Sequence, residues 1–593
     1  MSAEKLNTLM QRAILAGPNS EAAREAQALL KLDSLNWEYF QILFKKFKRA
    51  SPELPVKIYD PESPSQTESK TLQLVYPTAN APTEILKALA WVDYKNLILP
   101  ENKARFEAAA KFCTIRFKKM HAGTGSSITR QTYLAKVAPE RKMESAKSVD
   151  LMAELPDPLR PELKRHVTLA EIQILRSLTE ARAGQFADQI LHPIVSTETK
   201  AGIEAILNQS CYLEPKQTYA EVIARTPRIR VEGETLQAYL PTLDAAGELS
   251  FNRLAPGGHA IFAVESLLVA LRGEKQTPDL FDAISNGEDL SSHPDPAMVG
   301  WMKEHQIPIA LVTTDKTQID KKGGILGIGI DDAQNYFIKV IETAQAQAAG
   351  QLALFENLGL AESSHAMPAL TSTNLTLFNF EVLTPKIARL IRDVGEEKFL
   401  ELIAPDLILN KKEQDETVQG QTVKRAYRQL EGAMGSTLMN LDRYWRKNYG
   451  EPLVHIINVD RAKRLDFFAP IKSAFDFYWL ITVLGIDPKT FRIAALHSGQ
   501  VPQVSIADDY YKDVQNVLDA FKGADLRDIS SIQIRGKVRV RNLTMRGRIS
   551  ILNATSSLVD LAPLITKQKG YPVLHNVEIE IDPSGKLKPI RPI

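Results

Sequence analysis

A chain of 593 residues exceeds one ordinary hydrophobic core, so about two to four structural units are expected. With 73 basic against 71 acidic side chains and a net charge of +2, nothing global favours nucleic acid or a membrane surface, and any anion site has to be local. The 44% apolar content, with no unbroken apolar run of membrane length, fits a soluble globular protein. Only Cys113 and Cys211 occur, without metal-ligand spacing or a disulfide framework, which suits a reducing compartment and a cytoplasmic location.

The first hundred residues carry helical patterns at Ser20 to Leu30 and Leu35 to Phe47, then a polar, Pro- and Ser-rich stretch from Ser51 to Thr71. This reads as a mostly helical extension over 1–105. From about Phe106 to Leu400, short apolar β-type runs alternate with helical segments, which predicts an α/β unit over 106–520 with helices on both faces of a sheet. Within it, PAMVGWMKEHQIPIALVTTDKT reads as a helix, a short loop and a buried strand. Ligands on such sheets sit at the strand C-terminal ends. The last seventy or so residues, 521–593, change to strict alternation with turns at Arg535-Gly536 and Arg546-Gly547, which suits a small sheet or a stacked β-solenoid.

Five stretches could carry chemistry. KKMHAGTGSSITR, residues 118–130, follows a β-like run, and its small residues let backbone N–H groups close on a phosphate, although it is neither a Walker A loop nor a dinucleotide fingerprint. Lys147 and Lys472 are lone lysines, the second in an aromatic-rich setting that calls for an anionic partner; a snorkelling lysine is the plainer alternative. RLAPGGHAIF brings Gly257, Gly258 and His259 together in a turn that fits either a ligand approach or a simple cap. AISNGEDLSS clusters Asn286, Glu288 and Asp289, oxygen ligands of the kind a magnesium ion on phosphates needs, or an ordinary solvated loop. VTTDKTQIDKKGGIL ends a strand on Lys316, Lys321, Lys322, Gly323 and Gly324, where ammonium groups and bare backbone could meet an anion.

Taken in order, these segments resemble the UTP–glucose-1-phosphate uridylyltransferase (UDP-glucose pyrophosphorylase) family. VTTDKTQIDKKGGIL is similar to that family's lysine-and-Gly-Gly segment and is the most specific match. ILNQSCYL resembles its Gln-Ser-x-Tyr turn, GGHA its Gly-His turn, ISNGEDL its metal loop, VIETAQ and STNLTLF its sugar-side segments, and RLDFFAPIKSAFD the segment that ends in a lysine before the C-terminal domain. The likeness runs from about residue 112 to the end.

The resemblance implies a Rossmann-like nucleotidyltransferase (GT-A-like) domain with a mixed sheet, an N-terminal helical extension and a C-terminal left-handed β-helix. It also implies Mg2+-dependent, reversible attack of a sugar 1-phosphate on the α-phosphorus of UTP. Carried over position by position, Lys147 would contact the nucleotide phosphates and Lys472 would bridge both substrates. Gly123 and Gly125 would line the loop over UTP, and Gln209 with the Gly257-Gly258 backbone would read the uracil. His259 would reach the sugar 1-phosphate, Asn286 the nucleotide ribose, and Gly324, Glu342 and Asn374 the sugar. Glu288 would be catalytic and hold the metal, with Asp289 as a neighbouring ligand. Partners would be UTP and a sugar 1-phosphate, with no nucleic acid or membrane, and a homo-oligomer could form through the β-helix.

Three departures from the family pattern stand out. HAGTGSSITR lacks the leading Gly-Gly and closing Gly, Ala146 replaces a proline, and Glu288 stands where an Asp is usual. A relative using galactose or N-acetylglucosamine 1-phosphate, a nucleotide-sugar-binding pseudoenzyme, and a β-solenoid assembly module are the competing readings.

Overall fold

The computed structural model describes residues 8, 12, 37–49, 90–121, 128–140, 146–157, 160–195, 197–208, 225–230, 238–239, 242–243, 249–250, 254–256, 258–273, 279–317, 320, 323–330, 336–360, 368–418, 421–460, 467–494 and 502–593. Its centre is a nine-stranded mixed sheet. Across it run the strands Trp91–Asp93, Val454–Val459, Ile309–Asp315, Leu370–Asn379, Leu280–Asn286, Thr114–Met120 and Asp188–Ile194, with the hairpin Ile325–Ile330 and Tyr336–Ile341 branching from 370–379.

The strand 91–93 pairs parallel to 454–459, which pairs parallel to 309–315, and 280–286, 114–120 and 188–194 are likewise parallel. Strand 370–379 is antiparallel to both 309–315 and 280–286, so every other strand of that row points the same way. Their C-terminal ends at Met120, Asn286, Asp315 and Val459 therefore share one edge of the sheet.

Strands 280–286 and 309–315 are buried at every residue but the last, as near-continuous apolar runs in a two-sided sheet must be. Alternate side chains serve two cores. Ile115, Phe117, Ala283, Ala310 and Val312 pack on one face, and Ile284, Ile309, Leu311 and Ile456 on the other. The expected helix before strand 309–315 is Pro296–Glu304, capped by Asp295, whose side chain accepts from Ala297 N and Met298 N.

The helix expected over Leu35 to Phe47 forms as Trp37–Arg49. Tyr39, Phe40 and Leu43 enter the second core, and Lys46 pairs with Asp406 at 3.2 Å. The expected helix at Ser20 to Leu30 lies outside the described residues. Because strand 91–93 is hydrogen-bonded into the central sheet, that sheet begins ahead of residue 106, inside the stretch read as an extension.

A second sheet of five strands joins Leu254–Pro256, Arg225–Arg230, Gln421–Gly432 and Leu407–Val418, with Ala238–Tyr239 on its side. The C-terminal alternation resolves into a parallel stack. Gln503–Ala507 pairs with Ile529–Arg535, that strand with Thr544–Asn553, and that in turn with Val573–Ile581. Its inward rows, Ile532, Ile534, Ile549, Ile551, Ile579 and Ile581, are buried. Since 503–507 opens the stack, this unit starts before residue 521. Among the described residues no helix is long and apolar enough to cross a membrane.

Candidate functional site

At the C-terminal edge of the sheet, three segments far apart in sequence meet. Lys147 opens the short helix Lys147–Asp150, and its ammonium forms an ion pair with the Glu288 carboxylate while donating to the Ile471 carbonyl at 3.1 Å. The Ile471 N–H in turn donates to the Glu288 carbonyl at 3.2 Å, so residues 471–472 are laced onto the loop that follows strand 280–286. A bridge between Asp289 and Pro470 continues this lacing. The Lys147 side chain is 10% exposed and that of Glu288 31%, so the pair stands at the boundary between protein and solvent.

Lys472 is exposed, on the segment just before the helix Ala474–Trp479. That helix carries a capping box: Asp476 N donates to the Ser473 hydroxyl, and the Asp476 carboxylate accepts from Ser473 N at 2.7 Å. The same carboxylate accepts from Lys472 N at 3.0 Å, which fixes the backbone from which Lys472 projects. The Ser473-x-x-Asp476 spacing is legible in sequence, and its role in setting Lys472 was missed.

His259 follows the second sheet. Gly258 has φ +81° and forms a bridge with Gly432, and a Cβ built on it would lie 2.4 Å from the Gly432 carbonyl oxygen, so only glycine fits this turn. His259 keeps a surface open to water although protein atoms enclose it, the setting of a side chain lining a concave site. That enclosure lowers its pKa below the usual value for histidine; Glu288 pulls the other way and Lys472 adds to the fall. His259, Glu288 and Lys472 are thus within electrostatic reach of one another. Glu342, half-buried at the end of the strand Tyr336–Ile341, is pushed up by burial and drawn back by Lys472. Gly324 abuts it: a Cβ there would sit 2.7 Å from Glu342 Oε1.

Asn374 has φ +61° at the irregularity where strand 370–379 shifts register against 309–315. It lies two residues from Ser372, whose N–H donates to the Gly324 carbonyl at 2.9 Å. Asn286 is half-buried at the tip of its strand. Lys147, Asn286, Glu288 and Lys472 therefore lie at that edge or on segments tied to it, and His259 is within electrostatic reach of Glu288 and Lys472; Gly324 and Glu342 meet on the hairpin that branches from strand 370–379, Asn374 lies within that strand, and Gly258 lies in the turn bridged to the second sheet. Gly123, Gly125, Gln209, Gly257, Lys321 and Lys322 lie outside the described residues.

Two sequence-based expectations are corrected. Asp289 is fully buried, and its Oδ1 accepts from Ser291 N at 2.9 Å and Ala469 N at 3.1 Å while Oδ2 takes the Ser292 hydroxyl. Both oxygens are spent holding the loop, so Asp289 is an internal strut rather than a metal ligand. Lys316, expected among the ammonium groups that could meet an anion, is fully buried and donates to the carbonyls of Phe355 and Leu358. The sequence shows a lysine after a buried strand, but the carbonyls that take its protons belong to a helix and its end forty residues away.

Beneath the site lie groups the sequence reading did not single out. His121 Nδ1 is 2.8 Å from the Ser148 hydroxyl, next to Lys147. Burial brings Lys119 down to about 7 and His121 to about 3, with Lys119 adding to the fall of His121. Burial likewise lowers His192 and His455 to about 4. A histidine whose folded pKa lies below its unfolded value of about 6.5 binds fewer protons when folded, so its contribution is fully retained above pH 6.5 and lost as pH falls. We expect acidification from pH 7 to 5 to lower the urea midpoint, each of these three histidines costing about 2 kcal/mol. Asp282 and Asp406, held at about 2 against burial by Lys118 with Arg116 and by Lys339 with Lys46, add their loss only in the window from about pH 4 down to 2. A midpoint unchanged at pH 5 would show that these histidines are not held neutral.

Magnesium can be tested against these donors. Among the described residues no group of three or more His, Cys, Asp or Glu side chains could by itself hold a metal ion. Magnesium usually takes one or two carboxylates, with phosphate oxygens and water completing the shell. Glu288, partly exposed and reaching Lys147, fits that demand, and Asp289, whose oxygens are taken up within the loop, does not.

No curated protein sequence matches the chain. Among solved structures, a UDP-glucose phosphorylase from Trypanosoma brucei aligns over 95% of this chain and 100% of its own, at 17% identity and a TM-score of 0.60. The open and closed structures of UDP-glucose pyrophosphorylase from Leishmania major align over 84% of this chain and 94% of theirs, at 17% identity and a TM-score of 0.55. A point mutant of the Leishmania protein in complex with UDP-glucose aligns over 80% of this chain and 87% of its own, at 16% identity and a TM-score of 0.54. These likenesses establish the mixed α/β fold. Residues 279–546 match the family described as UTP--glucose-1-phosphate uridylyltransferase, a span that holds Glu288, Gly324, Glu342, Asn374 and Lys472.

Proposed function

We propose that the protein joins UTP and glucose 1-phosphate to give UDP-glucose and pyrophosphate, reversibly. The observation that carries the reading is the meeting of Lys147, Glu288 and the Lys472 segment at the C-terminal edge of the sheet. Two phosphorylated substrates repel each other, and cations fixed around them offset that repulsion most where charge builds up in the transition state. An oxygen of the sugar phosphate forms a bond to the α-phosphorus while the bond from that phosphorus to the α–β bridging oxygen breaks and pyrophosphate leaves. No side chain forms a covalent intermediate.

In this reading Lys147 and Lys472 bind the phosphates, with Lys472 between the two substrates. His259, kept neutral by its surroundings, offers an N–H to the sugar phosphate without adding charge. Gly258 and Asn286 serve the nucleotide, together with Gly123, Gly125, Gln209 and Gly257. Gly324, Glu342 and Asn374 face the sugar. Glu288 holds magnesium, which when bound neutralises charge on the triphosphate. For Glu288 to do so, Lys147 exchanges its carboxylate partner for a phosphate oxygen. The C-terminal parallel stack corresponds to the family's β-helix and the N-terminal helix 37–49 to a helical extension; self-association through the stack and a cytoplasmic location belong to the same reading.

A panel of sugar 1-phosphates with UTP and the other nucleoside triphosphates, followed by pyrophosphate release with and without Mg2+, tests it. We expect glucose 1-phosphate with UTP and Mg2+ to exceed every other pairing by at least about tenfold in kcat/KM, the discrimination that hydroxyl-reading contacts supply. Faster turnover of galactose or N-acetylglucosamine 1-phosphate would reassign the sugar. Binding of UDP-glucose without any turnover would make the protein a pseudoenzyme.

A further inference from the structure

The loop 286–292 that carries Glu288 is irregular backbone in a mostly buried position, yet each of its seven carbonyls has a donor from another part of the fold. Lys119 Nζ donates to Asn286 O at 3.1 Å, Asp289 O at 2.6 Å and Ser292 O at 3.0 Å. Gln173 Nε2 takes Gly287 O at 2.7 Å, Arg176 takes Leu290 O at 2.8 Å and Ser291 O at 3.4 Å, and Ile471 N takes Glu288 O. Lys119 is fully buried and uses all three of its protons on this loop. Its three acceptors bracket Glu288 on both sides. The charge of Lys119 points away from solvent into carbonyls, so it has no role as a phosphate ligand, and an ammonium buried this way is stable only because those carbonyls are where they are.

From this geometry we infer that Lys119 is the positioning residue of Glu288: by drawing the carbonyls of 286, 289 and 292 to one point, it fixes the turn from which the Glu288 carboxylate reaches Lys147 and the crevice. The inference rests on the transferase reading above, and the two fail separately. Lys119→Met keeps side-chain volume and removes all three donors. In the wild-type background it lowers kcat by about 30- to 100-fold while KM for either substrate moves less than about threefold, and in a Glu288→Ala background it costs less than about threefold more, because residues acting through one another are non-additive. Amide exchange in the peptide covering 286–292 accelerates by at least about tenfold in Lys119→Met, with the strands 309–315 and 454–459 unchanged.

An equal loss in both backgrounds, an undiminished kcat, or unchanged exchange in 286–292 overturns the role of Lys119 and leaves the transferase reading standing. Full turnover of Glu288→Ala alone removes Glu288 from the mechanism, and the inference with it. Should Lys119→Met not yield soluble protein, Gln173→Leu, which frees the Gly287 carbonyl and removes the Gln173 contact to His121, is read by the same cycle and the same exchange measurement.

Discussion

Lys472→Ala is expected to lower kcat by about 10³-fold, roughly 4 kcal/mol of transition-state stabilisation, with little change in stability. The size follows from where the side chain stands. Lys472 is exposed, its backbone is pinned by Asp476, and its charge reaches both His259 and Glu342. A cation set between the two substrates interacts most strongly with the charge that spreads over the reacting phosphoryl group, so its removal acts on kcat more than on KM. Nothing in the core depends on it, so the urea midpoint of the variant should match that of the wild type. Steady-state kinetics and a denaturation curve together decide the matter. Turnover within tenfold of normal would take Lys472 out of the chemistry, and a large fall in the midpoint would mean that lost folding, rather than a lost cation, explains any drop in rate.

How much of this was legible in the chain differs between fold and site. The apolar run Ile309 to Val312 could only be a buried strand, and the alternation from Ile529 to Ile551 could only be half-buried strands, so the α/β centre and the change of character near the C-terminus follow from periodicity alone. Boundaries were less accessible. Strand 91–93 is three residues long and pairs with residues more than three hundred positions later, a contact that no local pattern announces. Within the site, lysines and a histidine flanked by small residues drew notice because such residues suit phosphates. The partners that set them did not, because they are ordinary in isolation. Lys119 sits in a strand beside Lys118, and only the fold reveals that one of these neighbours meets loop carbonyls while the other meets Asp282 on the opposite side of the sheet, at 2.7 Å. The two errors share that origin. Asp289 and Lys316 have the composition of ligands, but buried backbone donors and acceptors had first claim on them.

Lys147→Met should lower kcat by a comparable factor, about 10²- to 10³-fold, and unlike Lys472→Ala it should also weaken the fold. The Lys147 ammonium is nearly buried between the Glu288 carboxylate and the Ile471 carbonyl. Methionine fills the volume but leaves the carbonyl without that donor and the carboxylate without its counter-charge. An unpaired buried acceptor costs about 1–3 kcal/mol, and the partial exposure of Glu288 keeps the ion-pair share of the loss small. The urea midpoint should therefore fall measurably in Lys147→Met and hold steady in Lys472→Ala. Arginine at 147 would restore the charge without the compact geometry, since a planar guanidinium cannot make the same two contacts from that helix start. Its expected result is a recovered midpoint with most of the rate still missing. If instead Lys147→Met kept full turnover while losing stability, the Lys147–Glu288 pair would be a latch between loop and helix alone, and the phosphate contacts would have to come from elsewhere along the crevice.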